Sequence, residues 1–283
     1  TARDEPDRPR RLARAQHREH VRQRERRQLA RDEQARLVVG ADGVHSAVVR
    51  SLGLAAPLRW PQNLGLVAHY RGYRGLHDWG EMHVSRHGYV GLAPLSGGLL
   101  NVGAVLPLTR AKDGDARSSG ARLHEIAMRF PGVAAALEGA ERVSKVRGVG
   151  PIGARVRRAS GAGYLLVGDV AGFFDPFTGE GVYKALRGAE LAAGVAIPAL
   201  QRGDVSAKTL SEYGRLRRRE FLAKDAVCRL VQAFVGLPPA MNYVVTRLAR
   251  REGPRVTLTG VLGDYADPRS ALSPLYLWQL LRP

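Results

Sequence analysis

The segment "GDVAGFFDPFTGEG", residues 168–181, constrains the fold of this chain more than any other. It follows the apolar run "YLLV", which predicts a buried strand, and it leads into a long predicted helix that runs from Gly179 to Ala196. Its repeated glycines are typical of a crossing where the backbone turns sharply or where something approaches it closely. Ligands of open α/β sheets bind beyond the carboxyl ends of the strands. The segment therefore predicts a ligand site.

A second crossing of the same kind lies at "RLVVGADGVHS", residues 36–46. Asp42 follows a short β-branched run, and Ser46 begins a short predicted helix, just as Asp169 follows Gly168 at the other crossing. Both carboxylates can accept hydrogen bonds from the hydroxyls of a sugar-like ligand. The alternative is that both aspartates form turns with their own backbone.

The helix that begins near Gly179 and Gly181 has free N–H groups and the positive end of its dipole at this crossing. These groups can face an anion or an electron-rich ring. Phe173, Phe174 and Phe177 lie beside them in the sequence and either border a planar ligand or belong to the core.

The strand and helix patterns together predict an α/β fold, a partial Rossmann-like domain with an inserted antiparallel sheet and a helical C-terminal region. Residues 64–108 are strand-like, with Gly97 and Gly98 at a hairpin turn, and "RVSKVRGV" predicts one further strand. The predicted divisions are an arginine-rich segment that is disordered or a polar helix (1–36), a discontinuous ligand-binding domain (37–60 and 151–200), a sheet domain (61–150) and the helical region (201–283).

The chain of 283 residues carries a formal net charge of +18, almost wholly from arginine. We favour a coding bias as its origin, with nucleic acid or anionic lipid as the alternative partner. Residues 1–36 contain twelve arginines and seven acids but no aromatic residue that would stack on bases. We therefore expect no specific nucleic-acid partner, although a basic nucleic-acid-binding protein without redox activity stays open as the alternative function.

The remaining motifs are weaker. "GVGPIG" matches a dinucleotide-binding pattern, but Pro151 interrupts it and no helix is predicted after it. His77, His83 and His87 match no metal-ligand spacing, so no metal site is predicted. Cys228 lies in a helical apolar pattern that favours a buried structural thiol.

The two crossings together closely resemble the FAD-dependent monooxygenase superfamily of the para-hydroxybenzoate hydroxylase fold, including its geranylgeranyl-reductase-like branch. "GADGVHSAVVR" resembles the DG motif of that family, and "GDVAGFFDPFTGEGVYKALRGAELAA" resembles its GD motif. The resemblance runs from about Arg36 to the C-terminus.

The resemblance implies a role for each matching residue. Gly168 permits the turn that places Asp169, and Asp169 would hold the ribityl chain of FAD. Asp42 and Gly43 would support the cofactor pocket, in a motif that the family also links to nicotinamide binding. The residues expected to line the isoalloxazine ring are Pro176, Gly179, Glu180 and Gly181.

The function implied is that of an FAD-dependent oxidoreductase of monooxygenase or reductase type, with FAD as cofactor and NAD(P)H as electron donor. We expect a small apolar organic substrate from "GYVGLAPL", and no side chain stands out as catalytic. Gly91 and Ala93 stand where the isoprenoid reductases carry an aromatic pair, which weighs against an isoprenoid substrate.

Two further expectations concern the start of the chain and its location. The family begins with a glycine-rich βαβ unit, for which residues 1–36 offer no glycine, so we expect a truncated form that folds poorly and holds FAD weakly or not at all, with inactivity as one outcome. With no signal peptide and no long apolar run, the expected location is cytoplasmic. The basic C-terminal helices either lie against an anionic membrane or pack on the flavin domain, which we favour.

Overall fold

The computed structural model describes residues 34–58, 62–75, 79–108 and 119–282. The chain divides into two units, Thr1–Arg36 and Leu37–Pro283, and the elements below belong to the second. The predicted arginine-rich segment lies almost wholly outside the described residues, as does His77.

The smaller sheet has three strands in the order β1–β9–β8. Strand β1 (Val38–Gly40) runs parallel to β9 (Tyr164–Leu166), and β8 (Ser160–Gly161) pairs antiparallel with β9. Helix α1 (Ala47–Ser51) follows β1, and its N-cap Ser46 accepts a hydrogen bond from Val49 N at 2.9 Å. This is the first predicted crossing, with its serine cap where the sequence predicts it.

The larger sheet has six strands and is antiparallel throughout. Its main order is β3–β4–β5–β2–β6, with β7 also paired to β2. The hairpin between β4 and β5 closes at the pair Leu95–Leu99 around Gly97 and Gly98, as predicted. The strands are β2 (Asn63–Arg71), β3 (Glu81–Ser85), β4 (Gly88–Leu95), β5 (Leu99–Pro107), β6 (Glu141–Arg142) and β7 (Arg147–Ile152).

Two sequence motifs lie in this sheet, and the first differs from its prediction of a single strand. The run "RVSKVRGV" forms two strands, β6 and β7, because residues 143–146 leave the ladder of β2 between them. The glycines of "GVGPIG" lie in and just after β7, with no helix behind them, so this motif is part of a sheet. The expected domain boundary between residues 150 and 151 falls inside β7.

The helices beyond α1 fall into two groups. Two short helices, α2 (Ser119–Met128) and α3 (Pro131–Ala136), precede β6. Six helices of 4 to 29 residues follow β9 in the described chain and fill the C-terminal region as predicted. Their bounds are α4 (Gly181–Arg202), α5 (Ala207–Val235), α6 (Pro238–Arg250), α7 (Glu252–Leu262), α8 (Pro268–Ala271) and α9 (Pro274–Leu281).

Separate apolar cores hold these layers together. Leu66 and Tyr70 of β2 pack with Leu123 of α2 and Val133 of α3, so the short helices cover one face of the larger sheet. Leu165 of β9 packs with residues of α4 and α5 in a second core. A third core joins α5 to the C-terminal helices. No helix among the described residues is long and apolar enough to cross a membrane.

Candidate functional site

The two predicted crossings leave the same edge of the smaller sheet. Gly40 of β1 pairs with Leu166 of β9 in a parallel register, so both strands end side by side. Asp42 lies two residues after Gly40, and Asp169 lies three residues after Leu166. The fold therefore brings the two predicted carboxylates to one sheet edge, as the sequence predicts for a site of this class.

The Asp42 carboxylate is used by its own helix. Its Oδ2 accepts hydrogen bonds from Ala47 N at 2.7 Å and from Val48 N at 3.2 Å, at the start of α1. The hydroxyl of Ser46 and these amides lower the pKa of Asp42. The carboxylate of Asp42 thus contacts the backbone of the helix that follows it, five and six residues further on, and helps to cap α1.

Gly43 adjoins a cleft of about 340 Å³. The cleft also borders His45 and Arg50 of the first crossing and residues 153–156, while Val170 borders it from the second crossing. Asp169, Pro176, Gly179 and Gly181 do not line it. The structure thus joins the two motifs at the sheet edge, but it does not gather all the predicted residues in one described cavity.

Asp169 occupies a short turn of 3₁₀ helix, Gly168–Ala171, directly after β9. The φ angle of Gly168 is +73°, a left-handed conformation that favours glycine, and it allows the sharp turn predicted here. Partial burial raises the pKa of the Asp169 carboxyl, while the positive charge of Lys184 opposes the rise. No described residue donates a hydrogen bond to this carboxylate. Its acceptor atoms are available to a ligand.

Helix α4 begins beside Asp169 with its N-terminus open. Its N-cap Glu180 makes no side-chain capping bond, and the first turn holds no acidic residue. A Cβ atom built on Gly181 would lie 3.7 Å from Asp169 Oδ1, so the space beside this carboxylate is kept free of side chain. Gly179 adopts φ +71° and a Cβ there would meet open space. This arrangement fits the ribityl and ring portions of a flavin, because it combines free acceptors, free N–H groups and room.

Pro176 is exposed in a second 3₁₀ turn, Pro176–Thr178, whose position depends on Asp175. The buried Asp175 carboxylate accepts hydrogen bonds from Asn63 Nδ2 at 2.8 Å, Tyr89 OH at 2.6 Å and Phe177 N at 3.0 Å. Burial raises the pKa of Asp175, and its three donors oppose the rise. This carboxylate ties the Asp169–Gly181 loop to β2 and β4 of the larger sheet.

Sequence reasoning missed Asp175, although a signal was present. An aspartate directly before a proline is a typical start of a helical turn, with the aspartate as N-cap and the proline at the first position. The partners in β2 and β4 could not be found this way, because Asn63 and Tyr89 are distant in sequence.

Phe173 and Phe177 pack in an apolar cluster with Tyr89, Ile152 and Val235. The Phe177 and Tyr89 rings meet edge to face, with centroids 5.0 Å apart. The core interpretation therefore fits these two phenylalanines better than the wall of a ligand pocket.

Glu180 is buried, and both of its carboxylate oxygens have partners inside the protein. Oε1 pairs with Lys184 Nζ, and Oε2 accepts a hydrogen bond from Cys228 Sγ at 2.8 Å. Lys184 also pairs with Asp225 of α5 at 2.5 Å. These contacts fasten the first turn of α4 to α5, and they leave the backbone of Glu180 as the part that can border a ligand.

Cys228 is buried, as predicted. Burial, together with the charge of Glu180 and the hydrogen bond to it, raises the pKa of the thiol to about 12. The described residues contain no cluster of histidine, cysteine and acidic side chains suited to a metal ion.

Comparison with known proteins gives curated relatives of one kind. The chain is 30% identical over 203 residues to a digeranylgeranylglycerophospholipid reductase of Methanosarcina acetivorans, an alignment that covers 70% of this chain and 48% of the relative. It is 28% identical over 258 residues to the protein of the same name from Methanothrix thermoacetophila, covering 88% and 62%. The chain spans about half the length of most of the curated relatives it matches. No protein-family model matches it.

Solved structures with the same fold are flavoproteins. The myxobacterial chondrochloren halogenase CndH, an FAD-dependent halogenase, superposes with a TM-score of 0.57 at 28% identity, covering 66% of this chain and 45% of the halogenase. The flavin-dependent brominase Bmp2 superposes with a TM-score of 0.68 at 19% identity, covering 84% of this chain and 62% of the brominase. The predicted fold class is thereby confirmed as a mixed α/β flavoprotein fold. The curated relatives and the solved structures support the resemblance of this chain to the FAD-dependent monooxygenase superfamily and its geranylgeranyl-reductase-like branch.

Proposed function

We propose that this chain carries the flavin-binding motifs of an FAD-dependent oxidoreductase that acts on an apolar, lipid-like small molecule. The observation that carries the proposal is the open N-terminus of α4 beside Asp169, whose carboxylate has no hydrogen-bond donor among the described residues. The names of the relatives support a redox function over the nucleic-acid alternative, because they are reductases and flavin-dependent halogenases.

In this proposal Asp169 accepts hydrogen bonds from the ribityl hydroxyls. Pro176, Gly179, Gly181 and the backbone of Glu180 border the isoalloxazine ring, and the free N–H groups of α4 face its polar edge. When bound, FAD supplies hydride transfer at its ring, while the protein supplies position, polarity and exclusion of water.

The chain's own residues hold the flavin side of the site in place from two directions. Asp175 fixes the loop before α4 against the larger sheet, and the pairs of Glu180 and Lys184 fix the first turn of α4 against α5. Asp42 and Gly43 support the neighbouring crossing, with Asp42 acting through its cap on α1. The loop and the turn are thus prearranged, which lowers the entropy lost on binding a ligand.

Three finer assignments belong to the same proposal. The substrate is apolar, in keeping with the lipid named in the titles of the curated relatives. The electron donor is NAD(P)H, by the resemblance of residues 40–50 to the DG motif. Helix α5 packs on β9 and α4 through Leu210 and Tyr213, so any peripheral contact with an anionic membrane involves only the exposed basic faces of the C-terminal helices. The proposed domains remain 37–60 with 151–200 for FAD, 61–150 for the substrate and 201–283 for the helices.

Titration of the chain with FAD, followed by flavin fluorescence, tests the proposal. Replacement of Asp169 by Ala removes a charge-assisted hydrogen bond worth roughly 1.5–3 kcal/mol, which corresponds to a loss of affinity of about tenfold or more. Glu190→Ala serves as the matched control, since it removes an exposed carboxylate of α4 that pairs with Arg187. Unchanged affinity in Asp169→Ala, or no saturable binding of FAD by the unaltered chain, contradicts the proposal.

A further inference from the structure

A second and larger groove lies between the segment that enters β8, helix α5 and helix α8, and it meets the turn that holds Asp169 at Ala171. Its volume is about 1220 Å³, well above that of a single inorganic ion. Residues 156–161 form one side and residues 211–226 of α5 form the other. Nothing in the proposed flavin chemistry uses this groove.

Seven arginines and a single acid line the groove. The acid, Asp225, is already paired with Lys184 at 2.5 Å. Five of the arginines form no ion pair with a described carboxylate, and four of these five are exposed: Arg157, Arg158, Arg218 and Arg219. The groove therefore holds several positive charges that nothing in the described part of the chain neutralises.

The floor of the groove is apolar. The apolar residues that line the groove, called its floor below, include Ala171, Phe221, Leu222 and Leu272. Ala171 is buried, Leu272 is half-buried and Leu222 exposes 59% of its surface. The Phe221 ring is buried, with only 2% of its surface exposed, and it lies beneath the guanidinium of Arg217 at 5.6 Å. No exposed aromatic ring lines the groove, so it offers no platform on which nucleic-acid bases would stack.

We propose that this groove binds the phosphate head of an amphiphilic organic phosphate, with the apolar part of the ligand on its floor. Guanidinium groups bind phosphate through two parallel hydrogen bonds, and several that converge on one groove discriminate in favour of a phosphate monoester over a zwitterionic head. Contact of the apolar part of the ligand with the alanine and leucine side chains buries apolar surface, which adds to the free energy of binding. A lipid phosphate combines both features.

The proposed binding to this groove depends only on its arginines and its apolar floor, so it does not require that the chain binds FAD. That the bound amphiphile is the substrate of the oxidoreductase is an extension that rests on the proposed function.

Calorimetric titration in the absence of FAD tests the groove, with dihexanoyl phosphatidic acid below its micellar concentration as the probe. Dihexanoyl phosphatidylcholine tests the head group with the same chains, and inorganic phosphate tests the head without chains. The groove variant is Arg158→Gln with Arg218→Gln. The matched control is Arg71→Gln with Arg86→Gln, which removes the same charge from an exposed position of β2 and from the exposed turn between β3 and β4. Circular dichroism verifies that each variant is folded.

We expect saturable binding of phosphatidic acid that weakens by roughly tenfold or more in the groove variant and changes by less than about twofold in the control. The phosphatidylcholine probe and inorganic phosphate should each bind at least about tenfold more weakly than phosphatidic acid. If the groove variant and the control variant lose the same affinity for phosphatidic acid, the binding comes from the overall positive charge and not from this groove. If inorganic phosphate binds as tightly as phosphatidic acid, the apolar floor does not contribute to binding. If duplex DNA binds more tightly than phosphatidic acid, the ligand is nucleic acid and not a lipid. Because this titration contains no FAD, its outcomes can be interpreted even if the chain does not bind FAD.

Discussion

The hydrogen bonds of Asp175 are predicted to hold the flavin loop onto the larger sheet, and two substitutions distinguish them from simple burial. Asp175→Ala removes the acceptor of Asn63 Nδ2, Tyr89 OH and Phe177 N in one step. Asp175→Asn keeps Oδ1 as the acceptor for Tyr89 and Phe177. Its new amide faces the Asn63 side chain, which can turn over and present its own oxygen.

The expected loss differs greatly between the two variants. Hydrogen bonds to a charged group are worth about 1.5–3 kcal/mol each, and the alanine variant loses three, two of them from the buried side chains of Asn63 and Tyr89. Release from the unfavourable burial of a carboxylate offsets part of this loss. We expect a net destabilisation of about 3 kcal/mol for Asp175→Ala, which corresponds to about 6–12 °C in Tm for a domain of this size. Asp175→Asn should lose less than about 1 kcal/mol.

Thermal unfolding followed by circular dichroism measures both variants, and pH gives a second, independent reading. Burial raises the pKa of Asp175 in the folded state above its ordinary value of 3.8, so the folded protein binds this proton more tightly than the unfolded chain does. The contribution of Asp175 is therefore greatest below pH 3.8 and declines as pH rises from there through the folded pKa. The asparagine variant lacks this decline. Equal losses for alanine and asparagine, or losses below about 1 kcal/mol for both, would refute the network.

Two other side chains give simpler tests. Cys228, with its pKa raised to about 12, should resist iodoacetamide at pH 8 in the folded protein and react fully once denaturant unfolds it, which mass spectrometry measures; rapid native labelling would refute its burial. Tyr213 is buried and donates from its hydroxyl to the carbonyl oxygen of Leu166 at 2.7 Å, so Tyr213→Phe should lower stability by about 1–2 kcal/mol in urea unfolding, and an unchanged midpoint would contradict this.

The sequence predicts the crossings well because their information is local. A β-branched run, an aspartate and a capping serine lie within a dozen residues at Asp42, and the glycines after Asp169 follow one another along the chain. Glycine at 168 and 179 corresponds to positive φ angles in the structure. The parallel register that brings the two aspartates to one edge then follows from the general behaviour of α/β sheets.

The contacts that decide what each carboxylate does are only partly local. Asp42 bonds to amides five and six residues further on, and Lys184 lies one helical turn after Glu180, but Cys228 of α5 is distant in sequence and could not be found by sequence reasoning. Asp42, Asp169 and Glu180 have the same charge in the printed sequence, yet the fold gives them three environments. The Asp42 carboxylate accepts hydrogen bonds from amides of α1. The Glu180 carboxylate is paired with Lys184 and Cys228, whereas no described residue donates a hydrogen bond to the Asp169 carboxylate. Glu180 differs from Asp169 because the packing of α4 against α5 brings Cys228 within hydrogen-bond distance of Glu180. Of these three predicted residues, Asp169 is therefore the one whose carboxylate stays available to a ligand.

The origin of the large positive charge also becomes a more specific question once the fold is known. A coding bias sets how many arginines a chain contains, but it does not choose which of them share a surface. Some arginines in the described helices have structural partners, such as Arg187 with Glu190 and Glu220, or Arg215 with Glu212. Exposed arginines of two elements distant in sequence, residues 157–158 and 218–219, instead line a single groove whose one acid is paired elsewhere. Because like charges that face one another destabilise a fold, their convergence favours an anionic ligand at that groove even if the abundance of arginine has no functional cause.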